Sequence, residues 1–244
     1  MILAVIPARF ASTRFPGKPL HLIAGKPLVQ HVWERCQECR HLDQTVIATD
    51  DERIAQVCRD FGAAVAMTSP EHPSGTDRVA EVAAQFPAAD ILINVQGDEP
   101  LISPRLIDAL AQALVADPTL PMVTAAAPLH DPQLRRDPNI VKVTLTTTGR
   151  ALYFSRSEIP HPRDLVPGMT WYWHKGIYGY RRDFIQQFVA WPASALERTE
   201  GLEQLRALEN GAAIQVVLTE DDSPGIDTPE QAAALEARLV ATNS

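Results

Sequence analysis

The 244-residue sequence is short of positive charge and of long apolar runs, and both shortages exclude classes of protein. Its 22 lysines and arginines are outnumbered by 30 aspartates and glutamates, which gives a formal net charge of -8. General nucleic-acid binders and membrane-surface binders need broad positive fields, so we expect no nucleic acid as a partner. No apolar run approaches the length of a membrane span, and we therefore expect no membrane insertion.

Cysteine is also scarce, with only Cys36, Cys39 and Cys58 in the chain. The C-x-x-C spacing of the first two is found in redox and zinc sites. This pair lies late in the predicted helix 28–40 and not at its N-terminus, and no second pair completes a zinc site. We interpret all three as core thiols of a reducing compartment and expect a cytoplasmic protein. The apolar residues 2–7 read as a strand and not as a signal peptide, because no basic segment precedes them.

Two common glycine-rich phosphate-binding motifs are missing. Gly17 and Lys18 are followed by Pro19 where a Walker A loop has Ser or Thr, and residue 12 is not the glycine that such a loop requires. No G-x-G-x-x-G follows the first predicted strand. P-loop phosphoryl transfer and dinucleotide redox chemistry therefore have no signature in this sequence.

The order of apolar runs and helical patterns predicts an α/β fold. Strand-like runs at 2–7, 45–49 and 91–95 alternate with helical segments and short connections. This alternation is typical of three-layer, doubly wound α/β folds around a mostly parallel sheet. After about residue 128 the pattern changes to an antiparallel pair. We expect a single domain over 1–244 with a smaller antiparallel excursion at about 128–190.

Within that excursion, residues 156–182 are rich in proline, aromatic and cationic residues. We interpret this segment as an extended substrate loop or a partner-binding arm. Further along the chain, the sequence predicts a helix near 196–209, a strand at 213–218 and a helix at 229–240.

The first strand is followed by a basic loop, within the stretch VIPARFASTRFPGKPL at 5–20. It contains Arg9, Arg14 and Lys18, and the first acidic residue of the chain is Glu34. Ligands of open α/β sheets bind outside the carboxyl ends of the strands, where this loop lies. Arginine forks and a lysine point charge suit a polyphosphate. A solvated basic turn is the alternative interpretation.

Two acidic loops are candidates for a divalent cation. Asp98 follows a predicted strand in INVQGDEP (93–100), and Asp227 lies in PGIDTP (224–229). Each also has a purely local interpretation, as turn chemistry for the first and as a helix cap for the second. Together with the basic loop, two separated carboxylates make a metal–polyphosphate site. The motif SGTDR (74–78) can cap a helix and can also present backbone N–H groups to a nucleotide.

Several stretches together, in this order, closely resemble the CMP-Kdo synthetases, and they extend over about residues 1–232. They are IPARFASTRFPGKPL, SGTDRVAEV, NVQGDEP, ALYFSRSEIP, HKGIYGYR, LEQLRALENG and GIDTPE. That family comprises the 3-deoxy-manno-octulosonate cytidylyltransferases, which use CTP and magnesium to activate the sugar acid Kdo for lipopolysaccharide. The resemblance implies a fold like that of the nucleotide-diphospho-sugar transferases, and a homodimer.

The resemblance also implies roles for single residues. Four residues are expected to be catalytic: Arg9, Lys18, Asp98 and Asp227. The two aspartates among them are expected to bind Mg²⁺. The residues expected at the nucleotide are Arg9, Arg14, Lys18, Ser74, Gly75, Thr76, Arg78 and Gln96. The residues expected at the sugar are Gln96, Arg156, His174, Tyr178, Glu203 and Gln204.

Other functions remain open on the residues alone. A related sugar acid, such as 8-amino-Kdo or a sialic-type acid, would use most of the same motifs. A sugar-1-phosphate pyrophosphorylase shares the basic loop, and a non-catalytic nucleotide-sensing domain would share the fold. The stretch 161–173 matches no motif and receives no role.

Overall fold

The computed structural model describes residues 1–11, 15–164, 166–221 and 223–242, and it confirms the predicted α/β class. The strands of these ranges, numbered along the chain, are β1 Ile2–Pro7, β2 Leu22–Ile23, β3 Lys26–Pro27, β4 Gln44–Thr49, β5 Ala64–Met67, β6 Ile91–Asn94, β7 Met122–Leu129, β8 Lys142–Leu145, β9 Ala151–Ser155, β10 Trp171–Arg181 and β11 Ile214–Leu218. The α-helices are α1 Leu28–Gln37, α2 Glu52–Asp60, α3 Gly75–Gln85, α4 Pro104–Ala116, α5 Pro132–Arg136, α6 Arg182–Ala190, α7 Ala195–Glu200, α8 Leu205–Glu209 and α9 Pro229–Thr242.

The chain divides into two compact units. The first consists of Met1–Asp108 and Ser223–Ser244, and the second of Ala109–Asp222. The predicted antiparallel excursion lies inside the second unit. That the whole chain is one domain stays a prediction.

The first unit is built on parallel strands in the order β6-β1-β4-β5. Leu3, Ala4, Val5 and Ile6 of β1 are fully buried. A continuous apolar run of this kind is what a strand of a parallel sheet needs when helices cover both of its faces. The sequence predicted these strands and the helices between them to within a few residues, because their patterns are strong and their connections short.

The C-terminal helix α9 returns to the first unit. Ala232 and Leu235 of this helix share a buried cluster with Phe15, Leu28 and Ile226. The cluster fixes the start of α9 against Phe15 of the basic loop and against Leu28, which follows that loop. Asp227, two residues before this helix begins, is thereby held within the first unit although it is far from the other site residues in sequence.

The second unit has a mixed sheet. Strand β7 pairs in parallel with β11 and antiparallel with β10, and β8 pairs antiparallel with both β9 and β10. The expected loop over 156–182 is therefore wrong for residues 171–181, which form the long strand β10. Its polar and glycine residues hid the strand pattern, and a register shift between Lys175 and Tyr178 breaks the alternation of its faces.

The helix predicted near 196–209 is two short helices, α7 and α8. Ser194 and Glu197 form a capping box at the start of α7, and Gly201 closes it with a φ of 63°. Glycine adopts this left-handed conformation at little cost, so the chain turns here. The turn brings Glu203 and Gln204 to the start of the second helix, α8.

Among the helices of the described ranges, none is both long and apolar enough to cross a membrane.

We expect Gly97→Ala to destabilise the first unit. A Cβ at this position would lie 2.7 Å from the carbonyl oxygen of Pro7, so the ends of β1 and β6 would have to shift. Overpacking of this kind costs about 1–3 kcal/mol of the free energy of unfolding, which urea denaturation measures. Gly75→Ala is the matched control, because its Cβ would meet Pro7 at an ordinary distance of 3.5 Å. Equal stability of the two variants would contradict the prediction.

Candidate active site

An open cavity of about 390 Å³ lies in the first unit, at the carboxyl ends of β1 and β6. This is where ligands bind in open α/β sheets. The structure brings many of the predicted site residues together here, although they are separated widely in sequence. Those that line the cavity are Arg9, Lys18, Gly75, Gln96, Asp98 and Asp227.

The end of the basic loop is held by its own backbone and by one aromatic ring. Gly17 has a φ of 71°, and its N–H donates to the carbonyl oxygen of Phe10 at 3.0 Å. The guanidinium of Arg53 lies 3.4 Å from the centre of the Phe10 ring. A 3-10 turn over Lys18–Leu20 follows directly. These contacts fix the Lys18 backbone beside the cavity.

The two predicted metal ligands converge on the Lys18 ammonium. Its Nζ donates to Asp98 Oδ2 at 2.6 Å and to Asp227 Oδ1 at 3.3 Å. A third N–H bond runs to the carbonyl oxygen of Ile226 at 2.9 Å. The sequence predicted that these three charged groups belong to one site, and the structure places them together. The sequence did not indicate that the lysine and the two aspartates would pair directly.

Backbone contacts hold the two acidic loops next to each other. The N–H of Ile226 donates to the carbonyl oxygen of Asp98 at 2.8 Å. Gln231 in the first turn of α9 accepts from the N–H groups of Asp227 and Thr228 at 2.6 and 3.1 Å. The carboxylates are thus positioned by main-chain geometry as well as by Lys18.

The start of α3 adds a partial positive charge to the cavity. Ser74 caps the helix by accepting from the N–H groups of Thr76 and Asp77, so the predicted cap is confirmed. Gly75 lines the cavity, whereas Thr76 is buried. The first turn of a helix favours anions. Nucleotide contacts of Ser74, Gly75 and Thr76 stay predictions.

Arg78 does not line the cavity but is fully buried beside Asp50 and Thr68. Its Nη2 lies 3.3 Å from Asp50 Oδ1, and Nη1 donates to the Thr68 hydroxyl. Burial lowers the pKa of Arg78, and the Asp50 carboxylate opposes that shift. Sequence reasoning missed Asp50, although its place directly after the strand β4 was the available signal. Arg14 lies outside the described residues.

The residues present fit a magnesium ion. Within the described ranges, no three histidine, cysteine or acidic side chains cluster as a complete metal site. Mg²⁺ needs only one or two carboxylates when phosphates and waters supply its other ligands. Asp98 and Asp227 already converge on one cation, which shows that their oxygens can share a positive charge.

The predicted sugar residues of the second unit include a guanidinium bound to backbone carbonyls. Arg156 donates from Nε to Glu200 O at 2.7 Å, from Nη1 to Pro138 O at 2.9 Å and from Nη2 to Gly201 O at 3.4 Å. These three bonds use three of the five N–H groups of the guanidinium, and one on each Nη atom remains. The contact of Arg156 with a substrate carboxylate stays a prediction.

A buried lysine, which the sequence did not reveal, donates to the backbone carbonyl of Arg156 and to two others. Lys142 is fully buried, and its ammonium donates to the carbonyl oxygens of Asp137, Ile140 and Arg156. Burial lowers the pKa of Lys142. A lysine between two valines in a strand gives no sign that its side chain is enclosed.

His174 is enclosed between aromatic rings. Its Nε2 lies 3.0 Å from the Thr124 hydroxyl, and its ring contacts Phe154 and Tyr178. Burial, with a smaller contribution from Lys175, lowers its pKa to about 3, so the imidazole is neutral at pH 7. Burial and the nearby Glu203 raise the pKa of Tyr178. Tyr178 is therefore close to both His174 and Glu203 within the second unit.

Gln204 is buried, and among the described residues its Nε2 has no hydrogen-bond partner. An unpaired buried donor is uncommon in folded proteins and is satisfied well by an acceptor from a ligand. Glu203 is part-buried and lies 3.4 Å from Arg206. The sugar contacts of these residues stay predictions.

A parallel sheet whose carboxyl edge carries a cavity lined by two cations and two carboxylates is typical of a nucleotide-binding α/β enzyme. A model of the family described as cytidylyltransferase matches residues 3–215 of the chain. The chain therefore belongs to the cytidylyltransferase family and is a nucleotidyltransferase.

The relatives are similar over nearly the whole chain. It is 52% identical to the 3-deoxy-manno-octulosonate cytidylyltransferase of Syntrophotalea carbinolica, over 98% of each chain. The protein of that name from Solibacter usitatus is also 52% identical, over 94% of this chain and 90% of its own.

Solved structures give the same result for the fold. CMP:2-keto-3-deoxy-manno-octonic acid synthetase, solved in complex with CTP, matches with a TM-score of 0.94 and 42% identity over 99% of both chains. The 4-diphosphocytidyl-2C-methyl-D-erythritol synthase of Anaerococcus prevotii shares the fold, with a TM-score of 0.64 and 14% identity over 98% of this chain and 96% of its own.

We expect His174 to make stability fall in weak acid. The folded protein keeps this imidazole neutral down to about pH 3, while the unfolded chain binds a proton near pH 6.5. Below pH 6.5 the unfolded state therefore gains protons that the folded state does not, at about 1 kcal/mol of unfolding free energy per pH unit. Urea titrations at pH 6 and pH 5 should show this loss in the wild type and not in His174→Gln. Parallel losses in both proteins would contradict it.

Proposed function

We propose that the protein transfers CMP from CTP to Kdo, giving CMP-Kdo and pyrophosphate for lipopolysaccharide synthesis. The observation that carries the proposal is the convergence of Asp98 and Asp227 on one cation in a cavity that Arg9 also lines. The relatives support the choice of substrates, since two of them with about half of their residues identical are named for this reaction.

In the proposed reaction the anomeric 2-hydroxyl of Kdo attacks the α-phosphorus of CTP. A new oxygen–phosphorus bond forms, the bond to the bridging oxygen breaks, and pyrophosphate leaves. The hydroxyl proton passes to solvent. The attacking and leaving oxygens must lie in line, so holding the substrates in position supplies a large part of the acceleration.

The residues of the first unit would serve the nucleotide. Arg9 and Lys18 offset the negative charge of the phosphates, and charge-assisted hydrogen bonds of this kind are among the strongest available. We propose that Asp98 and Asp227 hold Mg²⁺. When bound there, the metal supplies charge stabilisation at the phosphate and lowers the pKa of the attacking hydroxyl.

We propose that the second unit binds the sugar acid through His174, Tyr178, Glu203 and Gln204. The buried Gln204 amide has a donor to offer, and the neutral His174 can hydrogen-bond without adding charge. Arg156 holds the backbone at Glu200 and Gly201, shortly before Glu203 and Gln204 in the chain.

A homodimer and a cytoplasmic location complete the proposal. Exposed apolar side chains of the second unit include Leu152, Val166, Met169 and Leu218, and a second copy of the chain would cover such a surface. Cys36, Cys39 and Cys58 are free thiols, as expected in the compartment where CTP is made. Light scattering after gel filtration measures the oligomeric state.

Substrate identity is tested with a panel of acceptors. Kdo, 8-amino-Kdo, a sialic acid and sugar 1-phosphates would each be incubated with CTP, UTP or ATP, and pyrophosphate release measured. We expect the highest kcat/KM with CTP and Kdo. A preference for a sugar 1-phosphate would indicate a pyrophosphorylase, and a complete failure to release pyrophosphate with any of the acceptors would favour a nucleotide sensor.

We expect Asp98→Asn and Asp227→Asn each to lower kcat by at least about 100-fold, because a carboxamide binds Mg²⁺ poorly and charge stabilisation at the phosphate is lost. Pyrophosphate release with CTP and Kdo measures the effect, and thermal unfolding checks that both variants fold. Asp60→Asn, at the end of α2, is the control with the same change of charge. Near-wild-type turnover in either site variant would refute the metal assignment.

A further inference from the structure

The Lys18 ammonium is saturated in its present position. Its three N–H groups are taken up by Asp98, Ile226 and Asp227, and only 16% of the side chain is exposed. One positive charge therefore lies between two carboxylates. Without it, two negative groups on adjacent loops would repel each other across a part-buried gap.

Hydrogen bonds hold the backbone at Lys18 in place, whereas its long side chain can change conformation. Gly17 and Pro19 flank it in the 3-10 turn, and its N–H donates to Phe15 O at 3.1 Å. The N–H of His21 donates to Lys18 O, also at 3.1 Å. The ammonium can therefore leave the carboxylates by rotation about the bonds of its flexible four-carbon stem, without a shift of the backbone at Lys18.

A divalent cation shared by Asp98 and Asp227 would need the oxygen atoms that Lys18 now contacts. Mg²⁺ binds carboxylate oxygens at about 2.0–2.1 Å, closer than an ammonium approaches them. The two cations would also repel each other strongly at such short range. The Lys18 ammonium and a metal ion therefore compete for the same carboxylate oxygens of Asp98 and Asp227.

We propose that Lys18 is an exchangeable counter-cation: it holds Asp98 and Asp227 together before the metal binds and gives up their oxygens when the metal arrives. This inference rests on the proposed metal site. It goes further in assigning Lys18 a positioning role in the ligand-free protein, separate from any contact with phosphate. Because Lys18 also lines the cavity, the released ammonium stays beside the bound nucleotide.

The test measures metal binding to the whole protein with neither CTP nor sugar present. Free Mn²⁺ is followed by electron paramagnetic resonance during titration of wild type, Lys18→Met and Lys18→Arg. We expect Lys18→Met to bind Mn²⁺ at least about tenfold more tightly, because the competing charge is gone. Lys18→Arg keeps a cation in place and should stay close to wild type. Lys26→Met is the control, since it removes a lysine that pairs with Glu34 in the same unit.

Thermal unfolding gives a second readout. Lys18→Met should melt below wild type without metal, and added Mg²⁺ should raise its melting temperature more than that of wild type. The gain in Mn²⁺ affinity should disappear in the double variant Lys18→Met/Asp98→Asn. Unchanged or weaker Mn²⁺ binding by Lys18→Met would overturn the inference, as would a gain that survives in the double variant.

The outcome is separable from that of the proposed reaction. If wild type makes CMP-Kdo but Lys18→Met gains no metal affinity, the exchange is wrong and the reaction stands. If the metal affinity rises as expected but no acceptor yields pyrophosphate, the exchange stands and the proposed reaction is wrong.

Discussion

Two carboxylates from distant parts of the sequence share one cation, and this contact joins the basic loop to both acidic loops of the first unit. Asp98 follows a strand in the middle of the chain and Asp227 precedes the last helix, yet both reach Lys18. Bringing like charges together is unfavourable unless a cation lies between them. Helix α9 also packs against Phe15 and Leu28, and the apolar surface buried there offsets the unfavourable approach of the two carboxylates.

The sequence predicted this site well because its parts lie at the ends of strongly patterned elements. The apolar run of β1 placed the basic loop at the carboxyl edge of the sheet, and β6 placed Asp98 at the same edge. Asp227 was linked to them only through charge chemistry and family resemblance. The direct Lys18 pairing was beyond sequence reasoning, because which of several cations fills a gap depends on three-dimensional distances.

The second unit was harder to predict for a physical reason. Strand β10 carries glycines, a histidine and a lysine, and its register shifts at Lys175, so neither a period of two nor a continuous apolar run marks it. Lys142 and Arg156 are cations that bind backbone carbonyls inside the fold. In a sequence such residues look like surface charge or substrate ligands. The structure shows instead that Lys142 binds the backbone at Asp137, Ile140 and Arg156, and that Arg156 binds the backbone at Glu200 and Gly201.

The central claim is that the protein transfers CMP from CTP to Kdo, and phosphorus NMR of one reaction mixture tests it most directly. With enzyme, CTP, Kdo and Mg²⁺, the spectrum should show a new CMP phosphodiester and pyrophosphate growing in equal amounts. Formation of CDP and inorganic phosphate, or pyrophosphate without the phosphodiester, would contradict it.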